Sequence, residues 1–475
     1  VASLSARAFT QLLADWRSHS SGPAYAALAD RIRLLVIDGR IPLGTRLTAE
    51  RELAETLGVS RTTVTSAYAH ARDAGYLEST RGSGSVVRLP GRAPVMIDSA
   101  ATGYLDFSKA TLPAVGAVAD AAARAAARLP AYLGESGFDP IGLRELREAL
   151  ARRYTERGLP TDADQVMVTV GAQHAISLIG RTLMSRGDRV LVEAPSYPHA
   201  YDSLRAAGGR FVQVPVSTEF GWDESALEQG IQRTSPALGY LMPDFQNPTG
   251  RSMSAELRER TLALAARHGT VLVADETMAE LSIDHGESYL PFTAYDDAKL
   301  SVLIGSVGKT IWGGIRVGWI RAERPVIQKL VRARSSIDLG TPLLEQLIVL
   351  DLLADYDTIL DERRALLRSG RDHLQSALRA AFPEWDVPHV DGGLTAWVGL
   401  GEAVSSQLTL AARSHGLLLA AGPRFGIDGA FERFLRIPFS YSPSETDRAI
   451  AALRAAWDSL AGQPVAESDF LADVI

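Results

Sequence analysis

The chain has 475 residues, 46% of them hydrophobic and 22% charged, with a formal net charge of −7. At roughly 150 residues per domain this length implies two or three domains, and the composition supports a large buried core. There is no cysteine, so disulfide frameworks and thiolate metal sites are excluded. The opening segment Val1 to Trp16 interleaves Arg7, Gln11 and Asp15 with apolar residues, so it does not read as a signal peptide. No run nears the ~20 apolar residues of a membrane helix. A cytoplasmic protein is expected. Residues 1–90 hold eleven Arg and no Lys against eight acids, a charge of +3 that leaves −10 for the remainder. A mildly basic head on an acidic body suggests a nucleic-acid-binding module joined to one that does not touch nucleic acid, although solvated faces also vary this much.

From Tyr25 to Asp38 the residues Tyr25, Leu28, Ile32, Leu35 and Val36 fall at helical spacing, and Gly39 ends the run. Pro42, Leu43 and Gly44 make a turn. A second helix starts with Thr48 as its expected N-cap and turns Leu53, Ala54 and Leu57 inward until Gly58. Ser60 caps a third helix, whose buried stripe is Val64, Tyr68 and Ala71 and whose stop is Gly75. Two short strands follow, Tyr76 to Glu78 and Ser85 to Arg88, around the turn Arg81 Gly82 Ser83 Gly84. Helix, turn, helix and wing in this order predict a winged helix-turn-helix. The DNA reading rests on placement: Ser60, Arg61, Thr62, Thr63 and Thr65 all fall early on the third helix, the end that enters a major groove. Arg61 suits a guanine edge or a phosphate, Arg51 a backbone phosphate, and Arg81 with the Gly82 amide the minor groove or its phosphates. A small helical domain for protein contacts is the other reading. The run from Leu47 through Glu50, Arg51, Gly58, Ser60 and Arg61 to Val64 resembles the DNA-binding motif of GntR-type bacterial regulators, with Thr48 and Ala49 where that motif usually has proline or serine.

Leu89 Pro90 Gly91 Arg92 Ala93 Pro94 breaks the periodicity. The domain expectation is therefore a head at 1–90, a linker at 91–105 and a body at 106–475. In the body, helical patterns alternate with apolar β-branched runs at Gln165 to Val170, Arg189 to Glu193, Arg210 to Val216, Leu238 to Met242, Thr270 to Ala274 and Leu300 to Ile304. That alternation predicts a mostly parallel α/β sheet, with ligands gathered at the carboxyl ends of its strands.

Polar residues follow those strands in turn. Gly171 opens a helix whose first amides, Ala172 and Gln173, suit a phosphate, an ordinary helix start being the other reading. Tyr197 lies in the loop Pro195 Ser196 Tyr197 Pro198, placed either for stacking on a flat cofactor or for plain loop packing. Asn247 sits in the more specific run Pro243 to Gly250. Asp275 ends an apolar strand, where a carboxylate without a partner would be costly. Lys309, one of four lysines in the chain, lies in Gly305 Ser306 Val307 Gly308 Lys309 Thr310, seven residues before Arg316.

Together these runs resemble the fold type I aminotransferases that bind pyridoxal 5'-phosphate. The resemblance implies Lys309 as the Schiff-base lysine, Asp275 on the pyridine nitrogen, Asn247 on the ring hydroxyl and Tyr197 on the ring face. It also implies phosphate contacts from Ala172, Gln173, Ser306 and Arg316, and Arg436, in Phe434 to Phe439, as the fork for a carboxylate of the effector; a structural arginine between strands is the other reading of Arg436. Three residues after the aspartate those enzymes usually carry a tyrosine that bonds the ring oxygen; here it is Met278, and a thioether cannot donate. The overall fold expectation is multi-domain, an all-α-dominated winged helix-turn-helix head plus an α/β fold type I aminotransferase-like body. That combination resembles the MocR subfamily of GntR-type regulators. It implies a homodimer on a double-stranded DNA operator, sensing an amino acid, an amine or the cofactor itself through aldimine chemistry at Lys309. The alternatives are an active aminotransferase with an appended DNA-binding domain and a metabolite sensor that does not bind DNA.

Overall fold

The computed structural model describes residues 3–13, 16–17, 23–37, 40–41, 44–80, 84–88, 103–284, 289–427 and 429–460. Arg81 and Gly82 of the expected wing turn, residues 91–102 of the expected linker and the tail after Gln463 lie outside these residues.

The head contains helices Ala24–Ile37, Glu50–Leu57 and Arg61–Asp73 and the antiparallel hairpin Leu77–Thr80 with Gly84–Val87, in the register Leu77 opposite Val87. Gly58 ends the second helix with φ +66°, a left-handed turn that a glycine adopts without a side-chain penalty. Ser60 then caps the third helix by accepting from the Thr63 amide at 3.0 Å. Thr48 is not the cap of the second helix. The N-cap is Ala49, and the Thr48 hydroxyl instead donates to Glu52 at 2.9 Å. Two acids in the first turn, Glu50 and Glu52, complement the positive helix end in place of a capping side chain. A further helix, Ala6–Leu13, was not anticipated from the sequence, and it buries Phe9 and Leu13 completely against Leu28, Ile32 and Leu35.

The body is built on an eight-stranded sheet in the spatial order Val166–Thr169, Gly318–Arg321, Val302–Ser306, Val271–Asp275, Leu238–Leu241, Arg189–Ala194, Arg210–Ser217, Gly221–Trp222. The five strands from Val302–Ser306 to Arg210–Ser217 are mutually parallel. Gly318–Arg321 is antiparallel to both of its neighbours. Every residue of Val166–Thr169 and of Leu238–Leu241 is buried, as expected for a sheet covered on both faces. Each fully buried leucine or isoleucine in such strands contributes about 1.5–3 kcal/mol.

A smaller unit carries the antiparallel strands Thr395–Gly399, Phe434–Pro438 and Ala420–Ala421, with helices Tyr356–Ala381, Ser405–Ser414 and Pro443–Leu460. The short strand Leu105–Asp106, at the boundary of the expected linker and body, pairs with Leu417–Leu418 of this unit. Glu432 joins head to body, with Arg40 Nη1 at 3.3 Å and Arg31 Nη1 at 3.5 Å from its Oε1.

Candidate functional site

The carboxyl ends of the central strands deliver most of the expected residues to one place. Strand Val166–Thr169 leads through Val170 into helix Gly171–Leu183. Gly171 has φ +77°, and a β-carbon there would lie 2.8 Å from Arg316 Nη2. Arg316 itself has φ +58° and donates to the Val170 carbonyl at 3.2 Å, so its guanidinium sits over the helix start at Gly171. Across the turn, Ser306 ends its strand, and its hydroxyl accepts from the Gly308 amide at 3.0 Å and donates to the Val317 carbonyl at 3.1 Å. The Gln173 side chain is already engaged with the His199 carbonyl and the Ser203 hydroxyl, at 2.9 and 2.7 Å. An exposed guanidinium and the amide end of a helix make an anion-binding corner, to which the Ser306 hydroxyl can add only by turning its proton from Val317.

Lys309 occupies the short turn Gly308–Trp312 and donates to the Ala110 carbonyl at 2.7 Å. Burial, with Arg436 and Arg316 nearby, lowers its pKa to about 8 against the opposing pull of Asp275. Asp275 is 5% exposed. Its two carboxylate oxygens accept from the Tyr240 hydroxyl at 2.7 Å and the Thr277 amide at 3.0 Å. Tyr197 stands at the start of helix Pro198–Ala206, and burial, then Asp275, push its phenol up to about 12. Asn247 is buried, and its Oδ1 has no hydrogen-bond partner within the chain.

Arg436 lies on the middle strand of the smaller sheet with no exposed surface, and burial lowers its pKa to about 10. Nη2 donates to the Ser108 carbonyl and the guanidinium lies 4.8 Å over the Phe425 ring, while Nε and Nη1 have no partner within the chain. A buried cation with two unused donors is costly unless it meets an anion. Asp275, Arg316 and Arg436 all lie close enough to act on both Lys309 and Tyr197.

Three features of this region had no clear sequence signal. The carbonyls of Ser108 and Ala110 are backbone groups, invisible to residue-type reasoning. Tyr240 is the lone hydroxyl in the apolar run Leu238 to Met242, but nothing in the sequence pairs it with Asp275. Glu193 is fully buried and accepts from Trp222 Nε1 and the Met242 amide, both at 2.9 Å, and from Gln246 Nε2 at 3.1 Å. Gln246 also donates to the Pro195 carbonyl at 2.7 Å. It thereby ties the loop of Tyr197 to that of Asn247. Met278 is 5% exposed and packs in the main hydrophobic cluster.

On the head, Ser60, Arg61, Thr62 and Arg51 are exposed, and Thr63 is half-buried. The Thr65 hydroxyl donates to Glu50 at 2.7 Å, locking the third helix to the second. The exposed Arg61 and Thr62 form the first turn of helix Arg61–Asp73.

A winged helix-turn-helix head ahead of a body with the sheet of a fold type I aminotransferase defines a GntR-type regulator fused to an aminotransferase-like domain. The chain belongs to the aminotransferase class I and II family, whose sequence profile matches residues 102–453, while residues 24–87 match the gntR family of bacterial regulatory proteins. This is the domain combination of the MocR subfamily. Aromatic-amino-acid aminotransferase 1 of Thermococcus litoralis is 31% identical over 68% of this chain and 78% of its own length. The HTH-type transcriptional regulator YdfD of Bacillus subtilis is 26% identical over 89% of this chain and 94% of its own. The crystal structure of LysN, the alpha-aminoadipate aminotransferase of Thermus thermophilus complexed with N-(5'-phosphopyridoxyl)-L-leucine, superposes with a TM-score of 0.69 at 29% identity, covering 82% of this chain and 97% of LysN. Members of this fold are pyridoxal phosphate enzymes. The unpartnered buried atoms of Asn247 and Arg436, and the lowered pKa of Lys309, fit that group.

Proposed function

We propose that the chain is a DNA-binding transcriptional regulator that carries pyridoxal phosphate on Lys309 and senses an amino acid, an amine or the cofactor itself at that site. The observation that carries this reading is the buried Arg436, with two unused donors, gathered with Lys309 and Asp275 in a chain that also presents Arg61 and Thr62 at an exposed helix start. When bound, the cofactor supplies an aldehyde that takes up amines and a ring that draws electrons from them.

The protein's own groups do the rest. Lys309 supplies a nucleophile, since with a pKa of about 8 roughly a tenth of it is neutral at pH 7, against well under a thousandth at the ordinary value. Asp275, oriented by Tyr240 and the Thr277 amide, would hold a proton on the ring nitrogen. Asn247 would meet the ring hydroxyl and Tyr197 the ring face. Ala172, Gln173, Ser306 and Arg316 would hold the phosphate, and Arg436 would fork an effector carboxylate. A homodimer is part of this reading, its two heads engaging paired DNA half-sites with an affinity that falls steeply with salt.

Met278 favours sensing over turnover, because the hydroxyl that tunes the ring oxygen in the enzymes is absent from that position. The second reading, an active aminotransferase, draws on the aminotransferases among the relatives. Sustained conversion of an amino acid to its keto acid at roughly 1 per second or faster would establish it and remove the regulator-only reading. The cofactor assignment is tested by Lys309→Ala. The variant should lose the visible absorbance of the lysine-bound cofactor, and an unchanged spectrum would refute the assignment.

A further inference from the structure

Residues 105–113 are fastened to the candidate site by their backbone carbonyls. Lys309 donates to Ala110 at 2.7 Å, Arg436 to Ser108, Tyr441 to Asp106, and Arg363 to Pro113. Phe107, 1% exposed, stacks on Tyr441 with ring centroids 4.1 Å apart. Asp106 folds the segment back on itself, accepting from the Ser108 amide at 3.2 Å and pairing with Lys109 at 3.0 Å. In sequence this segment follows directly on the linker that leads from the head.

Two of the four side chains that hold the segment, Lys309 and Arg436, are the groups with ligand roles in the proposed function, on which this inference rests. An amine taken up by an aldehyde no longer offers an ammonium proton to the Ala110 carbonyl. Arg436 gives Ser108 one of its two Nη2 protons, which closes one of its two-pronged faces to a carboxylate and leaves the other open. Occupation of Lys309 therefore removes an anchor of the segment, whereas a carboxylate on the open face of Arg436 leaves the Ser108 bond in place. We propose that residues 105–113 are a strap held shut by Lys309 and Arg436, and that occupation of Lys309 loosens it and so passes the state of the site to the chain leading to the DNA-binding head.

The four lysines of the chain make the test simple. Full-length protein is treated with a lysine-specific endoprotease, and cleavage between Lys109 and Ala110 is followed by mass. Lys309→Met, which cannot bond Ala110, should be cut there about tenfold faster than the unmodified chain in the absence of ligand, the factor carried by one hydrogen bond from a charged donor when cleavage follows the population of the open segment. Phe107→Ala, which leaves every polar group of the site in place, should also be cut faster. Saturating pyridoxal phosphate should accelerate the cut in the unmodified chain and leave Lys309→Met unmoved. Equal ligand-free rates for the unmodified chain and both variants would overturn the strap. Cofactor absorbance without faster cleavage would overturn the coupling and leave the cofactor assignment standing. Absence of any cofactor absorbance would remove the assignment and the coupling together.

Discussion

Lys309 is set apart from an ordinary surface lysine by burial and by two neighbouring guanidinium groups, which together bring its pKa to about 8. Deprotonation makes the amine reactive, so the rate at which the protein takes up pyridoxal phosphate should rise with pH up to about 8 and level off there, as stopped-flow absorbance would record. A rate still climbing towards pH 10 would mean the amine is not perturbed. Arg436 makes the complementary prediction. Arg436→Met should leave cofactor absorbance in place and weaken any carboxylate-bearing amino acid about 10- to 100-fold in an absorbance titration, the range expected when a charge-assisted fork is lost. At this scale the sequence was informative wherever chemistry needs a particular side chain. Lys309 and Asp275 stood out by residue type and place, Arg436 by the resemblance, and the fold brings the three near one another. The donors and acceptors that orient them, Tyr240 and the carbonyls of Ser108 and Ala110, depend on which strands and loops lie side by side, and a single sequence does not state that.

Two helix starts carry the element-scale argument, one in each domain. Gly171 turns the chain from strand to helix at φ +77° with Arg316 packed against its α-carbon. Gly171→Ala should cost about 1–2 kcal/mol through the left-handed backbone alone, and more through the clash that displaces the guanidinium. Chemical denaturation measures the first effect and affinity for pyridoxal phosphate the second. In the head, Ser60→Ala removes the cap of helix Arg61–Asp73, at a cost of about 1 kcal/mol to the head. Arg61→Ala, by contrast, should weaken DNA binding while leaving cofactor uptake unchanged, since its side chain is exposed. The strands of the central sheet were legible as apolar runs bounded by turns. The antiparallel strand Gly318–Arg321 was not, because four residues after a glycine-rich stretch carry no period of their own. Helix Ala6–Leu13 escaped for a related reason, since its meaning lies in Phe9 and Leu13 closing the head's core. Thr48 misled because its hydroxyl had two possible partners, and Glu52 took it.

At the scale of the whole molecule the chain joins a small head with its own hydrophobic core to a large body with another. Separate cores predict separate thermal transitions. Pyridoxal phosphate at a hundred times its dissociation constant should stabilise the body by about 2.7 kcal/mol and leave the head's transition where it was, a result calorimetry can read directly. The central claim, however, is that chemistry at Lys309 reaches the DNA-binding surface. The direct test titrates the cofactor-loaded protein with a panel of amino acids and amines, following visible absorbance and binding to DNA upstream of its own gene in the same samples, for the unmodified chain and for Lys309→Ala. The account predicts that a compound which changes the absorbance also changes DNA affinity, with the same half-saturation, and that both responses vanish in Lys309→Ala. Full titration of the absorbance with DNA affinity unmoved would contradict it.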